Sequence, residues 1–420
     1  MALAGFQTQG LGEIGEIGHD PLWHRTLICH AIGGNETGGN GNFFWDAAPF
    51  GFGRRGILGK TQLFHFVDDP VIPPSHWHQW TLPSHGLKIE AIDAHVCGQP
   101  LRLIVRGYPA PRGVTMIEKC SYAMTHLDHL RGSLLLEPRG HADMYACLLT
   151  PPQRVDSDFG SLFLHRSGIC PMSAHGVIAA ATLCIEAGIV SAKSPETLVK
   201  FDTPAGLIRA YASIAESRVH RVYFENVPSF VVAQMQEINV PEVGRVTYDV
   251  AYGGEFYAYV DARKLNIALT PENINEIAAL GTTIASALES RCQVSHPVHS
   301  ALSILSGVIF SEEIPRRRDA VANIRQVCVF TDGSLDRSPS GTALSGRLAL
   351  MHARHEVDMG QPWIAEGILG GTLTGKAVRE GIALGNFSAI VTEIQGSAQL
   401  TGIHSFFIDP EDRLKEGFLI

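Results

Sequence analysis

The stretch RSGICPMSAHGVIAAATLCIEAG, residues 166–188, decides the fold. A polar turn, residues 172–176, leads directly into an apolar run that ends at Gly188. Serine is a preferred residue at a helix N-cap, and glycine commonly follows the last turn of a helix. The pattern therefore predicts a buried helix over residues 174–187, with Ser173 and His175 at its N-terminal turn.

A second stretch, DRSPSGTALSGRLALMHARHEVDMG at residues 336–360, has the same order of features. A serine, a small residue and a polar residue precede an apolar helical pattern over about residues 341–353, and a glycine again closes the stretch. Two similar half-units at a long spacing suggest an internal duplication with pseudo-twofold symmetry.

The rest of the chain divides into two regions that differ in composition and in hydrophobic periodicity. Residues 1–85 are rich in Gly, Pro, Asn and aromatic residues and show little periodicity, so they are predicted to form an N-terminal extension of unknown role. From residue 86 onward, strands rich in Val, Ile, Phe and Tyr outnumber the helical patterns, of which a third spans about residues 271–290. This balance predicts an α+β protein.

Composition excludes several classes of protein. The 420 residues suffice for two domains of ordinary size, and 45% hydrophobic with 18% charged residues is typical of a globular protein. No apolar run approaches the roughly 18 residues of a membrane helix, and the N-terminus lacks the order of a signal peptide, so a cytoplasmic protein without a membrane partner is predicted. A net charge of −9 argues against nucleic-acid binding.

Neither a metal nor a nucleotide site is expected from the motifs. The eight cysteines are scattered without a CxxC pair, which argues against both disulfides and a zinc site. His76 and His78 lack a neighbouring third ligand. GFGRRG at residues 51–56 matches GxGxxG formally, but no buried strand precedes it and no helix follows it.

Several segments together carry a family resemblance: IDAHVCGQPLR, EPRGHADMY, DTPAGLI, NVPSFV, DVAYGGEFYA, DRSPSGT and GSAQLTGIHSFFIDPEDRLKEGF. In this order they resemble the proline racemase superfamily, which includes proline racemases, 4-hydroxyproline epimerases and trans-3-hydroxy-L-proline dehydratases. The resemblance covers about residues 88–420. EPRGHxDM and DRSPxGT are its most specific motifs.

The resemblance implies a diaminopimelate epimerase-like architecture. Two pseudo-symmetric α/β domains are expected, each a curved sheet wrapped round a central helix, with the active site in the cleft between them. We expect residues 86–210 plus 385–420 in the first domain and residues 211–384 in the second. The resemblance also implies chemistry without a cofactor on a small proline-like substrate, and a possible homodimer.

The family chemistry explains the two helix entries. Removal of a Cα proton requires the substrate carboxylate to be held by preorganised donors, which two helix N-termini supply, and a base near Cα. The resemblance places Ser173 and Ser340 at the two base positions, which are usually cysteines. It places the substrate-binding positions at Ala174, His175, Asp336, Gly341 and Thr342, with Asp336 on the ring nitrogen, His175 near the carboxylate, and Ala174 in place of a family glycine.

The departures from the family pattern favour dehydration. A serine hydroxyl is a far poorer base near neutral pH than a thiol, whose pKa is about 8.5, and elimination needs only one base at Cα. The apolar Leu344 and the segments PLR and DMY are also more similar to dehydratases.

Two alternatives stay open: a proline or 4-hydroxyproline racemase or epimerase that uses serines, and a member that has lost Cα chemistry and binds or transforms another cyclic amino or imino acid. Cys170 is not expected to replace the base, and Arg139, His141 and Asp143 are predicted to be mainly scaffold.

Overall fold

The computed structural model describes residues 83–289, 291–314 and 322–420. The predicted extension, with GFGRRG, His76 and His78, therefore lies outside the described residues except for residues 83–85. Residues 82–420 belong to one compact unit. Within the described ranges, no helix has the length and apolar character that crossing a lipid bilayer requires.

The first half of the unit begins with a hairpin and surrounds one buried helix. Its elements are β1 (Leu87–Val96), β2 (Gln99–Arg106), α1 (Met116–His126), α2 (Asp128–Leu135), β3 (Ala146–Thr150), β4 (Phe159–His165), β5 (Gly168–Cys170), α3 (Ala174–Glu186), β6 (Glu196–Thr203), β7 (Gly206–Ala215) and β8 (Arg218–Glu225). Strand β2 runs parallel to β3, and β4 runs parallel to β6. The pairs β1–β2, β3–β4, β4–β5, β6–β7 and β7–β8 are antiparallel.

The second half repeats this plan. Its elements are β9 (Phe230–Val240), β10 (Gly244–Tyr252), β11 (Phe256–Asp261), α4 (Ile274–Glu289), β12 (Leu305–Glu313), β13 (Ile324–Phe330), β14 (Leu335–Asp336), α5 (Gly341–Ala353), β15 (Trp363–Glu366), β16 (Thr372–Leu384), β17 (Phe387–Gly396) and β18 (Gln399–Ile408). Strand β11 runs parallel to β12 and β13 runs parallel to β15, while β10–β11, β12–β13, β13–β14, β15–β16 and β16–β17 are antiparallel.

The two halves therefore correspond strand for strand, from β1–β8 to β10–β17, and the predicted duplication is visible in the pairing. Strand β18 returns to pair with β1, as β9 pairs with β10, and β8 joins the halves by pairing with β17. The α+β class and the curved sheet around a central helix are confirmed. The domain boundaries stay a prediction, and the predicted boundary at residue 210 falls inside β7.

The central helices are buried because they are apolar on nearly every side. Every residue from Ala174 to Ile185 of α3 is buried against strands that include β1, β2, β7 and β8. Helix α5 packs in the same way against β9, β10, β16 and β17. Full burial of a side chain such as Ile178 or Leu183 stabilises the fold by about 1.5–3 kcal/mol relative to exposure.

Two helices in the first half were not predicted from the sequence. Helix α1 begins with a capping box, in which Thr115 Oγ1 accepts from the Glu118 backbone N–H and the Glu118 carboxylate accepts from the Thr115 N–H. This signature, Ser or Thr followed three residues later by Glu, is readable in the sequence and could have located the helix. A two-residue turn at Cys97–Gly98 joins β1 to β2.

Candidate active site

The N-termini of α3 and α5 meet at a small cleft. All seven residues predicted for the site line it, so the structure brings together Ser173, Ala174, His175, Asp336, Ser340, Gly341 and Thr342. The backbone N–H groups of the first turn of each helix have no intrahelical acceptor, so both helices present free donors here. Such a pair of helix ends is suited to hold an anionic group.

Ser173 is the N-cap residue of α3. Its hydroxyl oxygen accepts a hydrogen bond from the Gly176 backbone N–H at 3.2 Å. The same oxygen lies 3.2 Å from Nδ1 of His175, so the hydroxyl and the imidazole form one hydrogen-bonded pair. Helix capping and proximity to a basic nitrogen are therefore properties of the same serine.

His175 is a neutral imidazole in this environment. The ring is buried at 4% exposure and packs edge-on against Tyr145, with the ring centroids 4.8 Å apart. Burial lowers the pKa of His175 to about 3, because the charged form loses its hydration. Its Nε2 is buried and has no hydrogen-bond partner among the described residues. A polar ligand in the cleft would supply one.

Ser340 occupies the corresponding place on α5. Its φ of 53° is in the left-handed region, which is uncommon for a residue with a side chain. Its hydroxyl accepts from the Ala343 backbone N–H at 3.4 Å and lies 3.2 Å from Oγ1 of Thr342. The two serines thus share a capping position, but Ser173 lies beside an imidazole whereas Ser340 lies beside the Thr342 hydroxyl and the Asp336 carboxyl.

Asp336 ends the short strand β14 just before α5. Its Oδ1 accepts hydrogen bonds from the Ser338 N–H at 2.9 Å and from the Ser338 hydroxyl at 2.7 Å. Burial, with a contribution from nearby Asp143, nevertheless raises the pKa of Asp336 to about 7. A bound cation would favour the ionised form of this carboxyl.

Ala174 and Gly341 form the contact between the two helix ends. A Cβ atom added to Gly341 would lie 2.4 Å from the Ala174 Cβ, which is far closer than two carbon atoms can approach. The Ala174 methyl group therefore fills the space that the missing side chain of Gly341 leaves open. This contact sets the spacing between the two sets of N–H donors.

Sequence reasoning missed several residues of the cleft, of which Glu255 is the most notable. It lies in the turn between β10 and β11, within the segment DVAYGGEFYA, and accepts hydrogen bonds from Tyr257 at 2.5 Å and Ser306 at 3.2 Å. Burial raises the pKa of Glu255 to about 7. An acidic residue after Gly253-Gly254 in an otherwise apolar hairpin was the available signal. The other unpredicted residues of the cleft are Tyr145, Cys170, Met172, Tyr257 and Phe330.

The ionisable side chains that line the cleft include carboxyl groups but no strongly basic group among the described residues. The lining includes the carboxyl groups of Asp336 and Glu255, but neither lysine nor arginine among the described residues. Within the same ranges, no group of three or more His, Cys, Asp and Glu side chains is arranged for a metal ion. The acidic wall and the two helix ends together match a ligand that carries both a cationic and an anionic group.

The remaining motif residues surround the cleft. Cys170 lines it, but its Sγ donates to the Phe163 carbonyl at 3.6 Å, and burial raises the pKa of this thiol well above its usual value. Asp143 pairs with Arg337 at 2.9 Å. His141 Nδ1 accepts from the Asp143 N–H at 3.3 Å. The scaffold role of the EPRGH segment stays a prediction.

Comparisons with known proteins agree with this geometry. A family model described as proline racemase matches residues 91–419. The trans-3-hydroxy-L-proline dehydratase of Colwellia psychrerythraea is 40% identical over 334 residues, which cover 80% of this chain and 93% of that protein. The proline racemase of Clostridioides difficile is 37% identical over 332 residues, which cover 79% of this chain and 98% of that protein.

A solved structure gives the same result in three dimensions. The crystal structure of a hydroxyproline epimerase from Agrobacterium vitis, with bound trans-4-hydroxy-L-proline, superposes with a TM-score of 0.76 at 30% sequence identity. The alignment covers 80% of this chain and 96% of that one.

Proposed function

The chain belongs to the proline racemase family, and on that premise we propose that it dehydrates trans-3-hydroxy-L-proline or a close relative without a cofactor. The reaction removes the Cα proton and breaks the C3–O bond. A double bond forms between Cα and C3, and the hydroxyl group leaves as water after it receives a proton. Atoms and charge balance without an oxidant or a reductant.

The substrate is held at its two charged groups. Its carboxylate accepts hydrogen bonds from the free N–H groups at the first turns of α3 and α5. These groups also stabilise the negative charge that develops on the substrate during deprotonation. Its secondary ammonium pairs with Asp336, whose buried carboxyl has no cationic partner in the cleft. In the tautomer with hydrogen on Nε2, His175 donates from the nitrogen that otherwise lacks a partner.

The observation that carries the proposal is the inequality of the two serines. Ser173 adjoins a neutral imidazole whose Nδ1 can accept a hydrogen bond from the hydroxyl and so orient its oxygen, and we place the removal of the Cα proton at this serine. Ser340 has no imidazole beside it and instead adjoins the Thr342 hydroxyl and the Asp336 carboxyl, so we assign to it the donation of a proton to the departing oxygen. Elimination needs one base and one acid, whereas racemisation needs two equivalent bases. The dehydratase relative at 40% identity supports the same choice.

The decisive experiment follows a panel of proline, 3-hydroxyproline and 4-hydroxyproline stereoisomers with the purified protein in deuterium oxide by proton NMR. Loss of 3-hydroxyproline signals with formation of pyrroline-carboxylate is the expected result. Cα exchange with a new diastereomer would instead identify an epimerase that uses serines as paired bases. No change in any of the compounds would contradict both and would favour a cleft recruited to another cyclic amino or imino acid.

A cytoplasmic location and a homodimer stay predictions. A single species at twice the chain mass of 45.5 kDa in sedimentation would support the dimer.

A further inference from the structure

A continuous chain of hydrogen-bonded side chains leads from Glu255 to Ser340. The Tyr257 hydroxyl lies 2.5 Å from Oε2 of Glu255 and 3.1 Å from Oγ1 of Thr342. Oγ1 of Thr342 in turn lies 3.2 Å from Oγ of Ser340. Tyr257 and Thr342 are both buried, so water does not interrupt the chain at these two links.

We propose that Glu255 is a positioning residue that supplies a proton to Ser340 through the hydroxyl groups of Tyr257 and Thr342. The inference rests on the proposed dehydration, because the proton is needed by the hydroxyl that leaves C3. Glu255 acts through two other side chains and need not touch the substrate.

The relay conserves every proton. Ser340 passes its hydroxyl proton to the departing oxygen, and Thr342 replaces it with its own. When Glu255 is protonated, its O–H donates to the Tyr257 oxygen, the reverse of the hydrogen bond that the carboxylate accepts. Tyr257 then protonates Thr342, and the Glu255 carboxyl protonates Tyr257, so that Glu255 ends as a carboxylate. The proton taken from Cα on the Ser173 side equals the one delivered, and exchange with solvent after product release restores both groups.

The relay answers the chemical problem that the serine raises. A serine hydroxyl is neither a strong acid nor a strong base, so Ser340 can release a proton only if another group replaces it at once. A carboxyl group that is half protonated near neutral pH is the natural source. Glu255 fits that description, because its pKa is about 7 and it retains partial exposure at the cleft, through which it can be recharged.

The surroundings of Glu255 favour its protonated form. Burial raises its pKa most and the nearby Asp336 raises it further, and together they outweigh the hydrogen bonds from Tyr257 and Ser306, which lower it. Within the described part of the chain, the titratable groups that interact electrostatically with it are neutral or acidic: Tyr145, Cys170, Tyr252, Tyr257, Cys328 and Asp336. A carboxylate kept for structure alone would more commonly pair with a cation.

The test compares Glu255→Gln and Tyr257→Phe with Tyr259→Phe as a matched control. The Tyr259 hydroxyl is also buried and donates to α5, at the Ala343 carbonyl, but it lies outside the relay. We expect kcat to fall by about 100-fold or more in the first two variants, which is typical of a lost general acid, while KM changes little. The double variant should be no slower than either single one. Tyr259→Phe should keep kcat within a factor of about two, since it breaks no proton path.

The pH profile separates a proton relay from a purely structural contact. Because the protonated carboxyl is the donor, wild-type kcat should decline as the pH rises above the pKa of Glu255, and this alkaline limb should be absent from Glu255→Gln. The inference would be overturned if the decline of kcat at alkaline pH were the same in Glu255→Gln as in wild type, or if Tyr257→Phe kept the wild-type kcat. The dehydratase proposal would stand in either case.

An infrared titration of the carboxyl groups tests the inference without relying on the dehydration assay. A carboxyl group that titrates near neutral pH should appear in the wild-type spectrum and be diminished in Glu255→Gln, with Asp336→Asn as the comparison. If no hydroxyproline is dehydrated, the proposed function fails and this titration decides the state of Glu255. An identical titration in wild type and Glu255→Gln would then refute the relay.

Discussion

At the scale of single residues, the cleft is defined by groups that the fold holds in an unfavourable state. Asp336 is 3% exposed, faces no cation in the described part of the cleft and has a pKa of about 7. The Nε2 of His175 is buried and finds no hydrogen-bond partner among the residues that the structure describes. Each of these costs is recovered when a zwitterionic amino acid binds, because its charges complete the interactions that the empty cleft leaves open.

The carboxyl of Asp336 gives the stability a pH dependence with a definite sign. Its pKa is about 7 in the folded protein, against an ordinary value of 3.8 for an aspartate, so ionisation disfavours folding. The contribution is fully favourable below about pH 4 and is lost as the pH rises through 7, by up to about 4 kcal/mol. Asp336→Asn should therefore lose substrate binding, yet gain stability relative to wild type at pH 8 compared with pH 5.

Urea unfolding of both proteins at the two pH values measures this difference. Glu255→Gln serves as a second reference, since Glu255 contributes with the same sign. An equal stability difference between Asp336→Asn and wild type at both pH values would contradict the raised pKa.

The identity of the two capping residues decides which reaction the cleft supports. Ser173→Cys with Ser340→Cys places a thiol of ordinary pKa about 8.5 at each helix N-terminus, where the dipole lowers the pKa further. We expect this double variant to gain Cα deuterium exchange with inversion on proline, measured by NMR and polarimetry in deuterium oxide. The single variants are the controls, because inversion requires a base on each face. A double variant that binds proline without exchange would show that more than the two bases separates the reactions.

At the scale of secondary structure, the distance between two helix ends is set by one methyl group. The free N–H donors of α3 and α5 converge because Ala174 packs where Gly341 has no side chain. Helix propensity alone would favour alanine over glycine at position 341. The close approach of the two helices overrides that preference.

This contact predicts a strong coupling between the two positions. Gly341→Ala should force the helix ends apart, destabilise the protein by about 1–3 kcal/mol and lower activity. Adding Ala174→Gly should restore part of both, because it removes the methyl group at 2.4 Å. A double-mutant cycle of unfolding free energies, with Ala174→Gly alone as the control, checks this. Additive effects would place the strain elsewhere.

At the scale of the whole molecule, the two halves are tied together by matching hairpin turns across the cleft. Arg166, in the turn between β4 and β5, pairs with Asp332, in the turn between β13 and β14, at 3.1 Å. The Ser167 hydroxyl adds a hydrogen bond of 2.6 Å to the same carboxylate. These partners lie at equivalent places in the repeated plan, so the duplication positions them to meet.

The ion pair should affect binding more than chemistry. Arg166→Gln is expected to raise KM by up to about fivefold with a smaller change in kcat, since a partly exposed pair contributes about 1 kcal/mol or less. High ionic strength should raise the wild-type KM toward that of the variant. Arg263→Gln is a matched control, because Arg263 pairs with Asp261 within one half. Equal effects of the two substitutions would show that the pair across the cleft has no special role.

The sequence by itself located the two central helices and indicated that the chain contains an internal duplication. The serine-led apolar stretches located α3 within one residue and α5 at both ends, since capping and apolar patterning are local properties of the chain. The motifs also identified seven residues that line the cleft, whose roles stay predictions. Helices α1 and α2 were passed over because their apolar residues are interleaved with charged ones, and only the capping box at Thr115 marked the start.

Only the tertiary structure showed which other groups lie close to the predicted cleft residues. Glu255 lies 85 positions from Ser340 in the chain, and no local pattern relates a turn in one hairpin to the N-cap of a distant helix. The same holds for the methyl group of Ala174 against Gly341 and for the burial that raises the pKa of Asp336. Helix caps and strands depend on neighbouring residues, whereas relay distances, steric contacts and pKa shifts depend on how the two halves pack, which is a property of the folded chain as a whole.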